Sequence, residues 1–419
     1  MTGNSRWSRS DLSRGAISRW WGGALLAAGV AMTFGAASCG GSSNSFFFLG
    51  DGVWVADQVA AQVDEFTSGQ LGVGTKNTPP RKIITNTTGT VAPTFTAPQD
   101  TLFDSNKNLW VIDGGDQMDD GTALVFEFTS KQLSSPGGTL NLTPTQFITT
   151  DDFVFPQFAV FDSEGNLWVS DTGANEIFEF SAAQLAGPPG NVTPTLTLTD
   201  DDEFDMPLGM AFDSSGDLWV ANNGSTPGNG FGLLEFDAAT LAASTGPITS
   251  DANFASVTTG QGTDSLNAPW GLSFDGNGDL FVTNEQPDFA PSAEPTSDAL
   301  QAQAAPAATP TIGQGTVVEF SAAQIAAATT GAAPTPVAAI VPHAVGGTAS
   351  LDDPNGVSVD TKLNFLIVAN DGGDAESPSL SRYNLSAIGA GGQLVPNSFV
   401  SGANTTLAAP TGLIVGPAH

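Results

Sequence analysis

Basic residues are scarce in this chain: 11 Lys and Arg stand against 43 Asp and Glu over 419 residues, a formal net charge of −32. A surface that acidic repels phosphate backbones and anionic headgroups. It excludes nucleic acid and electrostatic adsorption to a membrane, and leaves proteins, neutral ligands or cations as partners. Cysteine is scarcer still. The single residue, Cys39, cannot close an internal disulfide, so the folded body depends on core packing alone. The two histidines, His343 and His419, have no motif partner, and the sequence holds no nucleophile elbow, zinc-ligand spacing or phosphate-binding loop. In contrast, 49 Gly, 27 Pro and 27 Phe with 13% charged residues give the profile of many short strands joined by tight turns.

Residues 1–38 read apart from the rest. Arg6, Arg9, Arg14 and Arg19 form a basic start, and 22–37 is an apolar run too short for a full membrane span. Ala36, Ala37 and Ser38 then precede Cys39. This arrangement resembles a bacterial lipoprotein signal, in which the thiol is lipidated and becomes the mature N-terminus; an ordinary cleaved secretory signal is the alternative. The resemblance implies export to the bacterial cell envelope, on its periplasmic or extracellular face, with membrane attachment through the lipid on Cys39 alone. Residues 39–45, rich in Gly and Ser, read as a flexible tether. Removal of 1–38 takes away four Arg and Asp11. The mature chain then keeps 7 basic and 42 acidic residues, a net charge of about −35.

The remainder, 46–419, repeats one phrase six times: GVWVAD (52–57), NLWVID (108–113), NLWVSD (166–171), DLWVAN (217–222), DLFVTN (279–284) and FLIVAN (365–370). A unit this short cannot bury both faces of its own sheet, so copies must stack on one another. Each phrase after the first is preceded by a strand opening on Pro-x-Gly or a variant (98–104, 156–162, 207–213, 269–275, 354–360) and by a turn such as DSEGN or DGNGD. A third strand carries Glu-Phe (Glu65, Glu127, Glu179, Glu235, Glu319; Arg382-Tyr383 in the last unit). A Ser-x-x-Gln-Leu turn then leads to a fourth strand, often opened by Thr-Pro, as at 143–148, 193–198 and 335–340. Proline there suits an outer edge that discourages pairing. The first unit starts at its second strand, and the chain ends on a spare first strand, 409–415. The spacing therefore predicts an all-β fold, a six-bladed β-propeller of four-stranded antiparallel blades. Its C-terminal strand completes blade one and closes the ring.

The phrase FDSEGNLWVSDTGANEIFEF resembles an NHL-type repeat, and about 46–415 resembles the six-bladed NHL and gluconolactonase-like propellers. In gluconolactonase-like enzymes the resemblance implies that acidic or amide residues at the x of Pro-x-Gly point into the channel and hold a divalent metal. Here x is Gln99, Gln157, Leu208, Trp270, Asn355 and Thr411, and only Asn355 matches. With no carboxylate among them, a hard cation lacks its usual oxygens. Gln99, Gln157, Trp270 and Asn355 instead form a candidate neutral pocket at the channel mouth, with amides to hydrogen-bond and an indole to stack.

Acidic residues also gather where the loops between second and third strands and between blades emerge, on one face. Among them Asp151, Asp201 and Asp353 are weak candidates for calcium, which needs six to eight oxygens. The longest insertion, about 285–315, is Ala/Pro-rich and belongs to the same face as a mobile or disordered flap. The Asp or Asn ending each LWV strand recurs in all six copies (Asp57, Asp113, Asp171, Asn222, Asn284, Asn370), which marks it as a backbone cap. The expected function is a monomeric, non-catalytic binding or scaffolding module using this acidic face. The alternative is a metal-dependent envelope enzyme of the lactonase or lyase type. No catalytic residue is assigned, and calcium is the one cofactor considered.

Overall fold

Each LWV phrase is the second strand of a small antiparallel sheet, and six such sheets form the ring of a six-bladed β-propeller. The computed structural model describes residues 52–86, 93–115, 122–199, 204–224, 232–244, 252–255, 266, 268–284, 315–327, 331–332, 335–341, 344–345, 348–349, 351–372, 377–389 and 392–417. The leader, Cys39, the tether, Asp201, both histidines and residues 285–314 lie outside them.

Blade 2 shows the pattern: Pro98–Phe103 lies innermost, followed outward by Leu109–Asp113, Leu124–Phe128 and Gln146–Thr149. The innermost strands of blades 3 to 6 are Pro156–Phe161, Pro207–Phe212, Pro269–Phe274 and Pro354–Asp360. Blade 1 takes its innermost strand from Pro410–Gly416, which pairs antiparallel with Gly52–Asp57 and sets Val415 opposite Val53. The ring closes as the spacing predicts.

The hairpins between first and second strands form because an aspartate caps its own turn. Asp162 accepts the N–H of Glu164 and of Asn166 at 2.9 Å each, and Gly165 takes the left-handed φ of +85° that the turn requires. Asp104, Asp213 and Asp275 repeat these bonds. The carboxylates of DSEGN and DGNGD are thus bonded to turn amides.

Blades adhere through a repeated aromatic contact. Trp54, Trp110, Trp168 and Trp219 each meet, edge to face, the Phe that ends or nearly ends the next blade's first strand: Phe103, Phe161, Phe212 and Phe274. The ring centroids are 5.6, 5.9, 6.0 and 6.4 Å apart. Such pairs add about 0.5–1.5 kcal/mol each beyond the area they bury. This contact accounts for the recurrence of both LWV and Phe-Asp in the sequence.

Two local readings need correction. The Ser-x-x-Gln-Leu turn is a one-turn helix, Ser130–Leu133 in blade 2 and Ala182–Leu185 in blade 3, each opened by a capping box. It drops one buried leucine, Leu133 or Leu185, into the core. In five of the six blades the fourth strand is also not a free edge, blade 3 having four strands among the described residues. After the helix, a short segment opening on glycine pairs parallel with the fourth strand of the preceding blade: Gly138–Asn141 on blade 1, Gly190–Asn191 on blade 2 and Gly392–Gln393 on blade 5. Gly331–Ala332 does the same on blade 4, and Gly74–Lys76 on blade 6, so the strap also crosses the closure. Pro144, Pro194 and Pro336 stand two residues ahead of their strands, outside the ladder, and their missing N–H costs no pairing.

Candidate functional site

The six first strands surround the propeller axis, and their Pro-x-Gly openings decide how closely they approach. A methyl placed on Gly209 would lie 2.4 Å from the Trp270 carbonyl oxygen. On Gly271 it would meet the Asn355 oxygen at 2.5 Å, and on Gly356 the Thr411 oxygen at 2.4 Å. No side chain fits there, so glycine at the third position lets neighbouring backbones touch. In blades 2 and 3 the glycine is replaced by Asp100 and Phe158.

From this third position downward the strands enclose a cavity of about 410 Å³. Its walls are mostly apolar, including Phe158, Phe161, Leu272 and Leu413, and among the described residues Asp100 is the one ionisable lining residue. Oδ1 of Asp100 accepts the Thr101 N–H at 2.8 Å, and Oδ2 accepts the Ala159 N–H of blade 3 at 3.1 Å. Burial raises its carboxyl to a pKa of about 7, against the pull of those two amides. First strands are buried at their loop-face ends and half-buried in their last residues, as in Pro156–Phe161, Pro207–Phe212 and Pro269–Phe274. The cavity therefore opens toward the hairpin face.

The predicted channel-mouth residues lie one position above it. Gln99 is buried and donates its amide to the Ala97 carbonyl at 3.2 Å, and Gln157 is likewise buried. Trp270 packs among Leu208, Ala221, Leu233 and Leu266, between blades 4 and 5. Asn355 is 1% exposed, and its carbonyl accepts the Thr283 hydroxyl at 2.7 Å. The Trp270 Nε1 and Asn355 Nδ2 atoms have no hydrogen-bond partner among the described residues. All four share one level of the ring, yet none lines the 410 Å³ cavity.

The two described calcium candidates, Asp151 and Asp353, are not brought together. Exposed Asp151 stands between blades 2 and 3, where it accepts the Asn191 side-chain amide at 2.6 Å. Asp353 stands between blades 5 and 6, on the opposite side of the ring, with a left-handed φ of +47°. A tighter carboxylate group lies on the hairpin face of blade 4, where oxygens of Asp217, Glu235 and Asp237 fall within 4.8 Å of one another. The matching places in blade 2 hold Asn108, Glu127 and Thr129. Of the six oxygens that these three carboxylates carry, Oδ1 of Asp217 already accepts the Ala238 N–H at 2.8 Å, which leaves fewer than the six to eight that calcium takes.

The aspartates that end the second strands act as caps. Asp113 accepts from the Thr96, Ala97 and Gly115 amides, and Asp171 from those of Val154, Phe155 and Ala174. Burial raises both, Asp171 to about 6, while these amides pull the other way. They fasten the entry of their own blade's first strand and are committed to the scaffold. Sequence reasoning missed Asp100 and the blade 4 carboxylates. Asp100 is legible as a break in the repeat, an acid where four copies have glycine, and in blade 4 Asp237 is one, where blades 2, 3 and 5 have Thr129, Ser181 and Ser321.

No protein-family model matches the sequence, and no curated protein matches it. Solved structures of similar fold include a chain from a nidogen/laminin complex, at 10% identity and a TM-score of 0.48, covering 88% of this chain and 100% of that one. A functionally unknown protein from Desulfotomaculum acetoxidans is 14% identical with a TM-score of 0.46, covering 87% and 98%. Virginiamycin B lyase from Staphylococcus aureus is 11% identical with a TM-score of 0.34, covering 68% and 69%. At this level the similarity concerns fold alone.

Proposed function

We propose that this propeller is an exported, lipid-anchored binding module of the bacterial envelope, without catalysis, that engages a cationic partner through its acidic loop face. The observation that carries the reading is the charge excess. With 42 acidic and 7 basic residues after Cys39 is exposed, at least 35 carboxylates have no basic side chain of their own to pair with. Two of the seven basic residues, Arg81 and Lys82, are already engaged with Glu65 inside blade 1. A surface so unbalanced speeds and strengthens the encounter with positive partners, in a salt-dependent way.

The two faces hold their carboxylates by different partners, and on the loop face Asp151 accepts the Asn191 amide and Asp152 the Thr150 hydroxyl. On the hairpin face Asp104, Asp162, Asp213 and Asp275 are bonded to turn amides. On the loop face Asp151 and Asp152 are exposed, and Asp352 and Asp353 half-exposed, at the blade junctions.

A hexalysine peptide titrated into the full chain tests the site of recognition. Neutralising Asp151, Asp152, Asp352 and Asp353 to Asn should weaken binding about tenfold in low salt. The control Glu164→Gln with Asp237→Asn, on the hairpin face, should weaken it less than twofold. Equal losses from both sets would sink the assignment to the loop face. Anchoring has a separate test: Cys39→Ser should move the protein from the membrane fraction to the soluble fraction. Retention of that variant in the membrane would remove the lipid from the reading.

A further inference from the structure

Asp100 occupies a place that only a side chain on the axis side of its strand can reach. Its Oδ1 lies 2.1 Å from where a methyl on Gly412 of blade 1 would stand, and its Oδ2 accepts the Ala159 N–H of blade 3 at 3.1 Å. A group that touches the innermost strands of both neighbouring blades must project into the channel between them. Each oxygen accepts one backbone N–H, which leaves each a second lone pair.

Among the described residues no Lys, Arg or His lines the cavity to balance this carboxylate. The polar neighbours are uncharged and bond between blades. Thr101 donates to the Trp54 carbonyl, while Ser273 and Ser358 accept the N–H of Val359 and Val415. An ionised carboxylate among Phe158, Phe161, Leu272 and Leu413 calls for a counter-charge from outside. A divalent metal would find one carboxylate where it needs several oxygens. An ammonium with an apolar body matches both the single charge and the hydrocarbon wall. At the open end, an aspartate ends or follows the first strand in five blades (Asp104, Asp162, Asp213, Asp275 and Asp360), which raises the local concentration of cations.

We propose that the central channel binds a small organic cation, a primary amine with an apolar or aromatic body, whose ammonium pairs with Asp100. The cavity of about 410 Å³ is at the small end of ligand sites. This site is separate from the loop face, opens on the opposite side and takes a different class of partner.

Calorimetric titration of the full chain with 2-phenylethylammonium chloride, and with 2-phenylethanol as its neutral match, tests it. The amine should bind saturably and at least tenfold tighter than the alcohol. Asp100→Asn and Asp100→Gly should each weaken the amine at least tenfold while leaving the alcohol within twofold. The glycine variant reproduces the residue of four other blades (Gly209, Gly271, Gly356 and Gly412), so the first strand is expected to keep its backbone course in it. Amine binding within twofold of wild type in both variants overturns the proposal. So does equal affinity for amine and alcohol, or the absence of saturable binding of the amine.

Discussion

Removal of residues 410–419 should abolish cooperative unfolding and leave a chain that proteases cut throughout. The strand Pro410–Gly416 is the inner edge of blade 1, and it also forms one stave of the channel wall. Leu413 fills the core beside Val53, Val55 and Ile367, and Ile414 packs with Trp54 and Val111. Thr411 donates to the Gln99 carbonyl at 2.6 Å in blade 2, while the Val415 N–H reaches Ser358 at 3.2 Å in blade 6. One segment thus joins the blades on both sides. Its loss would expose the buried Trp54 strand and open the ring, at a cost comparable with the roughly 5–15 kcal/mol of a whole domain. The measurement is thermal unfolding with limited proteolysis, and a synthetic 406–419 peptide added in trans should restore part of the transition. A truncated protein melting within a few degrees of the parent would show that the other blades hold without closure.

Asp64→Asn should stabilise the protein at alkaline pH, an unusual sign for loss of a native charge. Asp64 is buried beside Asp57 where the last loop enters the closing strand. Gln62 donates to it at 2.9 Å and Thr406 at 3.3 Å. Asp57 meanwhile accepts the amides of Ala60, Ala408 and Ala409. Burial, and then repulsion from Asp57, raise the Asp64 carboxyl from its ordinary 3.8 to about 8. A folded-state pKa above the unfolded value means the folded chain holds a proton that the unfolded chain has released. Stability from this group is therefore full below pH 4 and falls by up to about 1.4 kcal/mol per pH unit until pH 8. Asparagine keeps the neutral shape and removes that loss. Relative to the parent, the variant should melt about 5 °C higher at pH 8.5 and within a degree at pH 4.5. A lower melting temperature at pH 8.5 would mean that the carboxylate is ionised and useful in the fold. Asp100 and Asp171, also raised by burial, keep a residual slope of the same sign in the variant.

Much of this architecture is local, which is why it is readable in the chain. Strand period, turn chemistry and the Asp or Asn at each strand end depend on neighbours a few residues away. Six repetitions make them unmistakable, and the spare first strand at 409–415 predicts the closure that the pairing with Gly52–Asp57 displays. The parallel straps are less legible because they are two to four residues long and pair with the preceding blade. The Ser-x-x-Gln-Leu helices are too short to show a 3.6-residue period.

The channel depends on distances that no local pattern contains. Pro-x-Gly announces a tight opening, yet only the assembled ring brings the Asp100 carboxyl against Gly412, far along the chain, and Ala159, 59 residues away. Lys82 makes the same point: fully buried, it donates to the Leu133 carbonyl of the next blade, 51 residues on, and lies 3.4 Å from Glu65. Nothing in the residues around it marks a lysine for the interior. The sequence by itself determined the number of blades, their strand order and how they close, because these follow from short-range periodicity and burial. The tertiary structure decided which carboxylates are spent as caps, which one enters the channel and which end of that channel is open. Those are set by the approach of blades to a common axis, where a missing Cβ or an added carboxyl changes what can fit.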